Sequence, residues 1–152
     1  NSLQMSWREL RVRKDPDGEP ITELMDYEAF CGVAPGTTVD ADHTVSAREL
    51  AAMLQSRGQG QGDFELIDVR EPGEFEIVSI PGATLIPKGR ILSGEALGEL
   101  PRDRDLVFHC KAGTRSAEVL QNLLDHGYTR VRHLDGGILS WVREMEPEKP
   151  VY

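Results

Sequence analysis

The stretch Leu106-Val107-Phe108-His109-Cys110-Lys111-Ala112-Gly113-Thr114-Arg115-Ser116 decides the fold. An apolar run leads into a cysteine, and Gly113 permits a tight turn. From Ser116 the residues Ala117, Val119, Leu120, Leu123 and Leu124 recur at helical spacing as far as about His126, where Gly127 stops the run. The reading is a buried strand from Asp105 to His109, a loop and a helix. In that order, backbone N–H groups and the positive end of the helix point back at the sulfur. With Lys111 and Arg115 alongside, the loop favours the thiolate, which is the nucleophilic form. Cys110 is the candidate nucleophile, acting on an anionic or sulfur-bearing group.

The same alternation extends outward. Upstream, Thr44-Val45 reads as a short strand, and Ser46-Ala47-Arg48-Glu49 as a capping box opening a helix through Leu54. The Gly58–Gly62 stretch is a helix-to-strand loop. Phe64 to Val69 is an apolar strand, and Pro72 suits the first turn of a short helix. Ile80 to Pro87 is a turn feeding another strand, and Ser93 to Leu100 a weaker helix stopped by Pro101. Downstream, Val131 to Leu134 is a last strand, and Asp135-Gly136-Gly137 turns the chain into Ile138-Leu139-Ser140-Trp141-Val142. Strands alternating with helices predict an α/β fold with a mostly parallel five-stranded sheet and helices on both faces. Ligands in such folds sit beyond the carboxyl ends of the strands, where Cys110 and Asp68-Val69-Arg70-Glu71 both fall.

At 152 residues and 39% hydrophobic content, the chain is one globular domain with an extension. No apolar run approaches the roughly 20 residues that cross a bilayer, so no membrane role is expected. A net charge of -9 speaks against a nucleic-acid surface. Two cysteines, Cys31 and Cys110, are too few for a disulfide framework or a metal cage, and the reduced thiols read as cytoplasmic. Before His43, acidic residues outnumber basic ones. Residues 1–42 are read as an extension or linker, with Trp7 to Arg13 alternating like a half-exposed strand. The start at Asn1 reads as a piece of a longer chain.

The size of the cradle narrows the cargo. A nest of amides at Cys110, with Lys111, Ala112, Gly113, Thr114 and Arg115, can hold a thiolate, a persulfide or a tetrahedral oxyanion. Cys110 and Arg115 are separated by four residues, one fewer than in cysteine phosphatases as a class. The shorter loop favours a single extra sulfur atom. A cysteine phosphatase or arsenate reductase, and a non-catalytic docking module, are the rival readings.

From about Thr44 to Trp141 the chain resembles the rhodanese homology domain, the sulfur-transfer family. The resemblance rests on Leu66-Ile67-Asp68-Val69-Arg70-Glu71-Pro72 with Glu74-Phe75, on Ile80-Pro81-Gly82-Ala83, on Cys110 to Ser116, and on Leu134-Asp135-Gly136-Gly137-Ile138 with Trp141. Ser79 departs from it, since many relatives carry His there. The flanking segments Trp7 to Pro16, Ile21 to Leu24 and Tyr27 to Gly32 resemble the end of an adenylating domain in fused adenylyltransferase/sulfurtransferases. The tail Pro150-Val151-Tyr152 fits such a chain but is too brief to weigh. Residues 43–152 would then be a rhodanese-like domain, and 1–42 the end of an adenylating domain or its linker.

The resemblance implies a thiosulfate-type sulfurtransferase that carries sulfane sulfur as a persulfide on Cys110. The donor would be thiosulfate or a cysteine-desulfurase persulfide. The acceptor would be the adenylated C-terminus of a small ubiquitin-like sulfur-carrier protein, serving molybdopterin, thiamine or cysteine synthesis. No cofactor is implied beyond the persulfide. No metal is implied either, because Cys31 alone cannot replace the Cys-x-x-Cys pairs of zinc-binding relatives.

Several side chains have plainer readings. Arg115 serves equally as a tie to Glu74 or as an anion contact. Asp68 and Arg70 could shape the mouth of the site, but a strand-end Asp capping the next helix is the simpler role. His109 points away from the Cys110 side by strand alternation, His133 has no chemical task, and Trp141 packs in the core.

Overall fold

A computed structural model describes residues 39–152. The strand read over Trp7 to Arg13, most of the 1–42 extension and Cys31 lie outside the described residues. The strands are β1 Thr44–Val45, β2 Phe64–Asp68, β3 Ala83–Leu85, β4 Asp105–His109 and β5 Val131–Leu134. The helices are α1 Ala47–Gly58, α2 Pro72–Ile77, α3 Lys88–Leu92, α4 Thr114–Asp125 and α5 Gly137–Met145.

The five strands form one sheet in the order β1-β5-β4-β2-β3, with every pair parallel. Because all run the same way, the loops after β2, β4 and β5 open at one edge. The chain leaves β2 in one direction toward β3 and leaves β4 in the other toward β5. The order therefore reverses between β2 and β4, the crevice where open α/β sheets bind ligands. Asp68 and His109 are paired across that crevice, and Cys110 follows directly.

Two-residue alternation sends side chains to both faces. Phe64, Leu66, Val107 and Leu134 pack with Leu50, Ile138, Trp141 and Val142, from α1 and α5. Ile67, Leu106, Phe108 and Val131 pack with Ile91, Val119, Leu120 and Leu123, from α3 and α4. Full burial of each such side chain contributes roughly 1.5–3 kcal/mol. Cys110 lies with the second set, while Asp68 and His109, by the same alternation, share the face of Leu66 and Val107.

The helix starts follow local chemistry. Ser46 and Glu49 form the expected capping box, with Ser46 N–H donating to Glu49 Oε2 at 2.8 Å and Glu49 N–H to Ser46 Oγ at 3.3 Å. Pro72 opens α2, whose N-cap is Glu71. Asp68 is not that cap, which corrects the simpler reading given to it. The helix expected over Ser93 to Leu100 is also corrected: α3 lies earlier, after Pro87, and only a 3-10 turn, Leu97–Glu99, falls in that stretch. Gly94, at φ +84°, ends the first turns, and Ile91 anchors them in the core. Among the described residues, no helix is long and apolar enough to cross a membrane.

Candidate active site

The β4 strand delivers Cys110 to the crevice, and Gly113 ends the loop as the N-cap of α4 with φ +101°, a conformation side-chain-bearing residues rarely adopt. This turn lets the Gly113 N–H donate to Cys110 Sγ at 3.2 Å. The cysteine is buried, 1% exposed. Ser116, in the first turn of α4, brings a second donor, its hydroxyl standing 3.6 Å from the sulfur.

The loop is held from behind by α5. Ile138 N–H donates to Cys110 O at 2.8 Å and Leu139 N–H to Lys111 O at 3.1 Å, so first-turn amides of one helix grip the loop carbonyls. The approach is close enough that a Cβ on Gly137 (φ +56°) would lie 2.5 Å from Cys110 O and 2.6 Å from Lys111 O. The Asp135-Gly136-Gly137 turn is thus the seat of the loop.

Arg115 reaches across to α2. Its two terminal nitrogens donate to the two carboxylate oxygens of Glu74 on α2, each at 2.7 Å. That fork holds the Glu74 carboxyl down at about 2, well below its ordinary 4.5, and raises Arg115 further above its ordinary value. Of the two roles open to Arg115, the structure places it in the tie to Glu74. Ala112, on the loop, and Thr114, which opens α4, are exposed. Lys111 carries its ammonium 4.5 Å from the centre of the Tyr152 ring.

Asp68 and Arg70 do not line the mouth, since both are fully buried (0% exposed). Arg70 Nε and Nη2 embrace the Asp68 carboxylate, with Nη2–Oδ2 at 2.6 Å. The same guanidinium donates to Val78 O at 2.7 Å, to Glu74 O at 3.3 Å and to the Tyr152 hydroxyl. Arg70 thereby ties α2, and with it Glu74, to the end of β2. Burial holds His109 down at about 4, so its ring is neutral near neutral pH. Among the described residues neither ring nitrogen has a hydrogen-bond partner, and Nε2 stands 3.6 Å from Asp68 Oδ2. His109 faces away from the sulfur, as strand alternation predicts.

Two participants were not singled out in the sequence. Tyr152, in the tail given no weight, donates its hydroxyl to Glu74 Oε1 at 2.9 Å. His133, read as idle, stands with Nδ1 3.4 Å from Ser116 Oγ. No local signal marks Tyr152, whose partners are far away in sequence. His133 could have been found from strand alternation, which puts it on the α4 side with Val131. Among the described residues, no group of three or more His, Cys, Asp or Glu is arranged to hold a metal ion.

Residues 46–144 match the rhodanese-like domain family. Over 154 aligned residues the chain is 46% identical to the "Probable adenylyltransferase/sulfurtransferase MoeZ" of Mycobacterium tuberculosis, matching 100% of this chain and 38% of that protein. The chain therefore spans about two fifths of the length of that relative. A "Sulfurtransferase" of Allochromatium vinosum is 39% identical over 94 residues, 62% of this chain and 86% of that one. Among solved structures, a human single-domain sulfurtransferase superposes with a TM-score of 0.56 at 28% identity, covering 67% of this chain and 96% of the other. A Rhodopseudomonas palustris protein described as a "Possible Tyrosine Phosphatase" superposes with a TM-score of 0.61 at 25% identity, covering 89% of this chain and 100% of the other. With the matched segment spanning most of the chain and carrying the whole Cys110 loop, the protein belongs to the rhodanese-like domain family.

Proposed function

We propose that the chain is a sulfurtransferase in which Cys110 carries one sulfane sulfur as a persulfide. The observation that carries this reading is the Cys110 loop itself: four residues to Arg115, a cysteine 1% exposed, and the Gly113 amide 3.2 Å from its sulfur. In the first step the Cys110 thiolate attacks the outer sulfur of thiosulfate. A sulfur–sulfur bond forms, the bond to the sulfonate sulfur breaks, and sulfite leaves with the electron pair. In the second, an acceptor nucleophile takes the outer sulfur and Cys110 leaves as the thiolate, so one awkward transfer becomes two displacements. The loop amides stabilise the negative charge on sulfur at both stages. No cofactor enters this cycle.

Phosphoryl chemistry is the rival, and the likeness to a possible phosphatase keeps it in view. Such a cradle needs a free guanidinium for the phosphate oxygens. Here both terminal nitrogens of Arg115 are engaged by Glu74, which favours sulfur as cargo.

The likeness to MoeZ supports a narrower reading. The acceptor would be the adenylated C-terminus of a small ubiquitin-like sulfur carrier, for molybdopterin, thiamine or cysteine synthesis. With this acceptor the outer sulfur of the persulfide is the nucleophile, attacking the acyl carbon and expelling AMP. An external thiol then reduces the acyl disulfide to release the thiocarboxylate and the Cys110 thiolate. Residues 1–42 would belong to the end of an adenylating domain or its linker, with 43–152 as the sulfurtransferase. The donor in that setting is thiosulfate or a cysteine-desulfurase persulfide, and the compartment is the cytoplasm. The reading is tested with thiosulfate and cyanide: wild type forms thiocyanate and Cys110→Ser does not. Undiminished thiocyanate from Cys110→Ser would overturn it.

A further inference from the structure

Two polar side chains buried behind the loop have no part in the cycle above. Ser116 Oγ stands 3.6 Å from Cys110 Sγ, 2.9 Å from Gly113 O and 3.4 Å from His133 Nδ1. Ser116, His133 and Cys110 are all buried, so their polar atoms are satisfied mainly from within. A hydroxyl has one proton to give and two lone pairs to offer. With His133 Nδ1 protonated, the Ser116 proton can serve Gly113 O or the sulfur, and what occupies its lone pairs decides which.

We propose that His133 is a positioning residue for Cys110, acting through Ser116: its Nδ1–H donates to Ser116 Oγ and leaves the Ser116 proton to the sulfur. While Cys110 is a thiol, its S–H donates to Ser116 Oγ and the Ser116 proton rests on Gly113 O. When the thiol proton leaves to solvent, the hydroxyl turns and donates to the thiolate, and His133 fills the vacated side of Oγ. Ser116 and His133 neither gain nor lose a proton, so the step balances by rotation alone. Burial lowers the tendency of His133 to charge, which keeps a neutral ring with one N–H to place. The charged groups acting on the pair are Asp135, beside His133, and Arg115, beside Cys110, and both stay unchanged in the test.

The inference rests on Cys110 being the reactive sulfur, so its test reads alkylation rather than sulfur transfer. Iodoacetamide labelling of Cys110 is followed by peptide mass mapping across pH in the full chain, with thermal melts as the folding control. At neutral pH, Ser116→Ala and His133→Gln should label about five-fold more slowly than wild type, the equivalent of one ordinary hydrogen bond. Their pH profiles should move to higher pH. His133→Asn, whose amide N–H reaches the Nδ1 position, should label within about two-fold of wild type. The double variant Ser116→Ala/His133→Gln should be no slower than Ser116→Ala alone, because both act on one contact. An unmoved profile in His133→Gln, or a His133→Asn as slow as His133→Gln, would overturn the proposal. Loss of sulfur loading in wild type with this labelling pattern intact would remove the sulfurtransferase reading and leave the positioning role standing.

Discussion

Arg115 and Glu74 form a two-pronged ion pair, 2.7 Å at each prong, that joins the first turn of α4 to α2. The pair engages both terminal nitrogens of the guanidinium that stands at the end of the Cys110 loop. It also closes a chain of contacts. Asp68 holds Arg70, Arg70 and Tyr152 hold α2 and Glu74, and Glu74 holds the helix that carries the loop.

Glu74→Gln keeps the shape and removes the charge. Both partners are partly exposed, so the loss should be about 1–2 kcal/mol in a urea titration near neutral pH. The Glu74 carboxyl is depressed from 4.5 to about 2. Its contribution is therefore complete above pH 4.5 and disappears as pH falls through about 2. The gap between wild type and variant should close over that window. A gap independent of pH would mean that the pair contributes by packing alone.

His109 acts at milder pH and through the opposite state. An unfolded chain takes up the imidazole proton below 6.5, whereas the folded chain resists until about 4. A depressed His thus costs stability as pH falls through this window and nothing above it. Wild type should lose up to about 3 kcal/mol there, at about 1.4 kcal/mol per pH unit. His109→Leu should lack that slope, and equal slopes in the two proteins would contradict the assignment.

The buried Asp68–Arg70 pair should respond asymmetrically to substitution. Removing one partner strands the other charge where no water reaches it, so Asp68→Ala or Arg70→Met should cost about 3–5 kcal/mol in chemical denaturation. Asp68→Leu with Arg70→Met should recover part of that loss. If the double variant is less stable than either single one, Arg70 matters more for its bonds to Val78 and Glu74 than for the charge of Asp68.

Gly137→Ala tests the seat of the loop. The added carbon would lie 2.5 Å from Cys110 O at a φ of +56°, so the loop or the first turn of α5 must move. The expected loss is about 2–3 kcal/mol, with slower labelling of Cys110 in the protein that remains folded. Wild-type stability and labelling would show that α5 does not hold the loop.

The strand–loop–helix around Cys110, the parallel sheet and the Ser46 cap were legible because each is written in a short window: an apolar run, a glycine, a periodic face. Gly94 and Pro87 carried the signal that moves the helix from Ser93–Leu100 back to Lys88–Leu92, but both act through turns that periodicity does not register. The burial of Asp68 with Arg70 was not legible, since a strand-end Asp two residues before an Arg also suits a cap. Tyr152 was beyond reach because its partners, Arg70, Glu74 and Lys111, meet it only after the chain has folded. His133 lay within reach of strand alternation, yet nothing in its own window named Ser116 as its neighbour.

The most direct test of the persulfide claim is the mass of the intact protein after incubation with thiosulfate and removal of excess donor, with the modified peptide mapped. The prediction is a gain of one sulfur atom on Cys110, discharged by cyanide and absent from Cys110→Ser. A wild-type protein that never gains sulfur yet hydrolyses an aryl phosphate would contradict it.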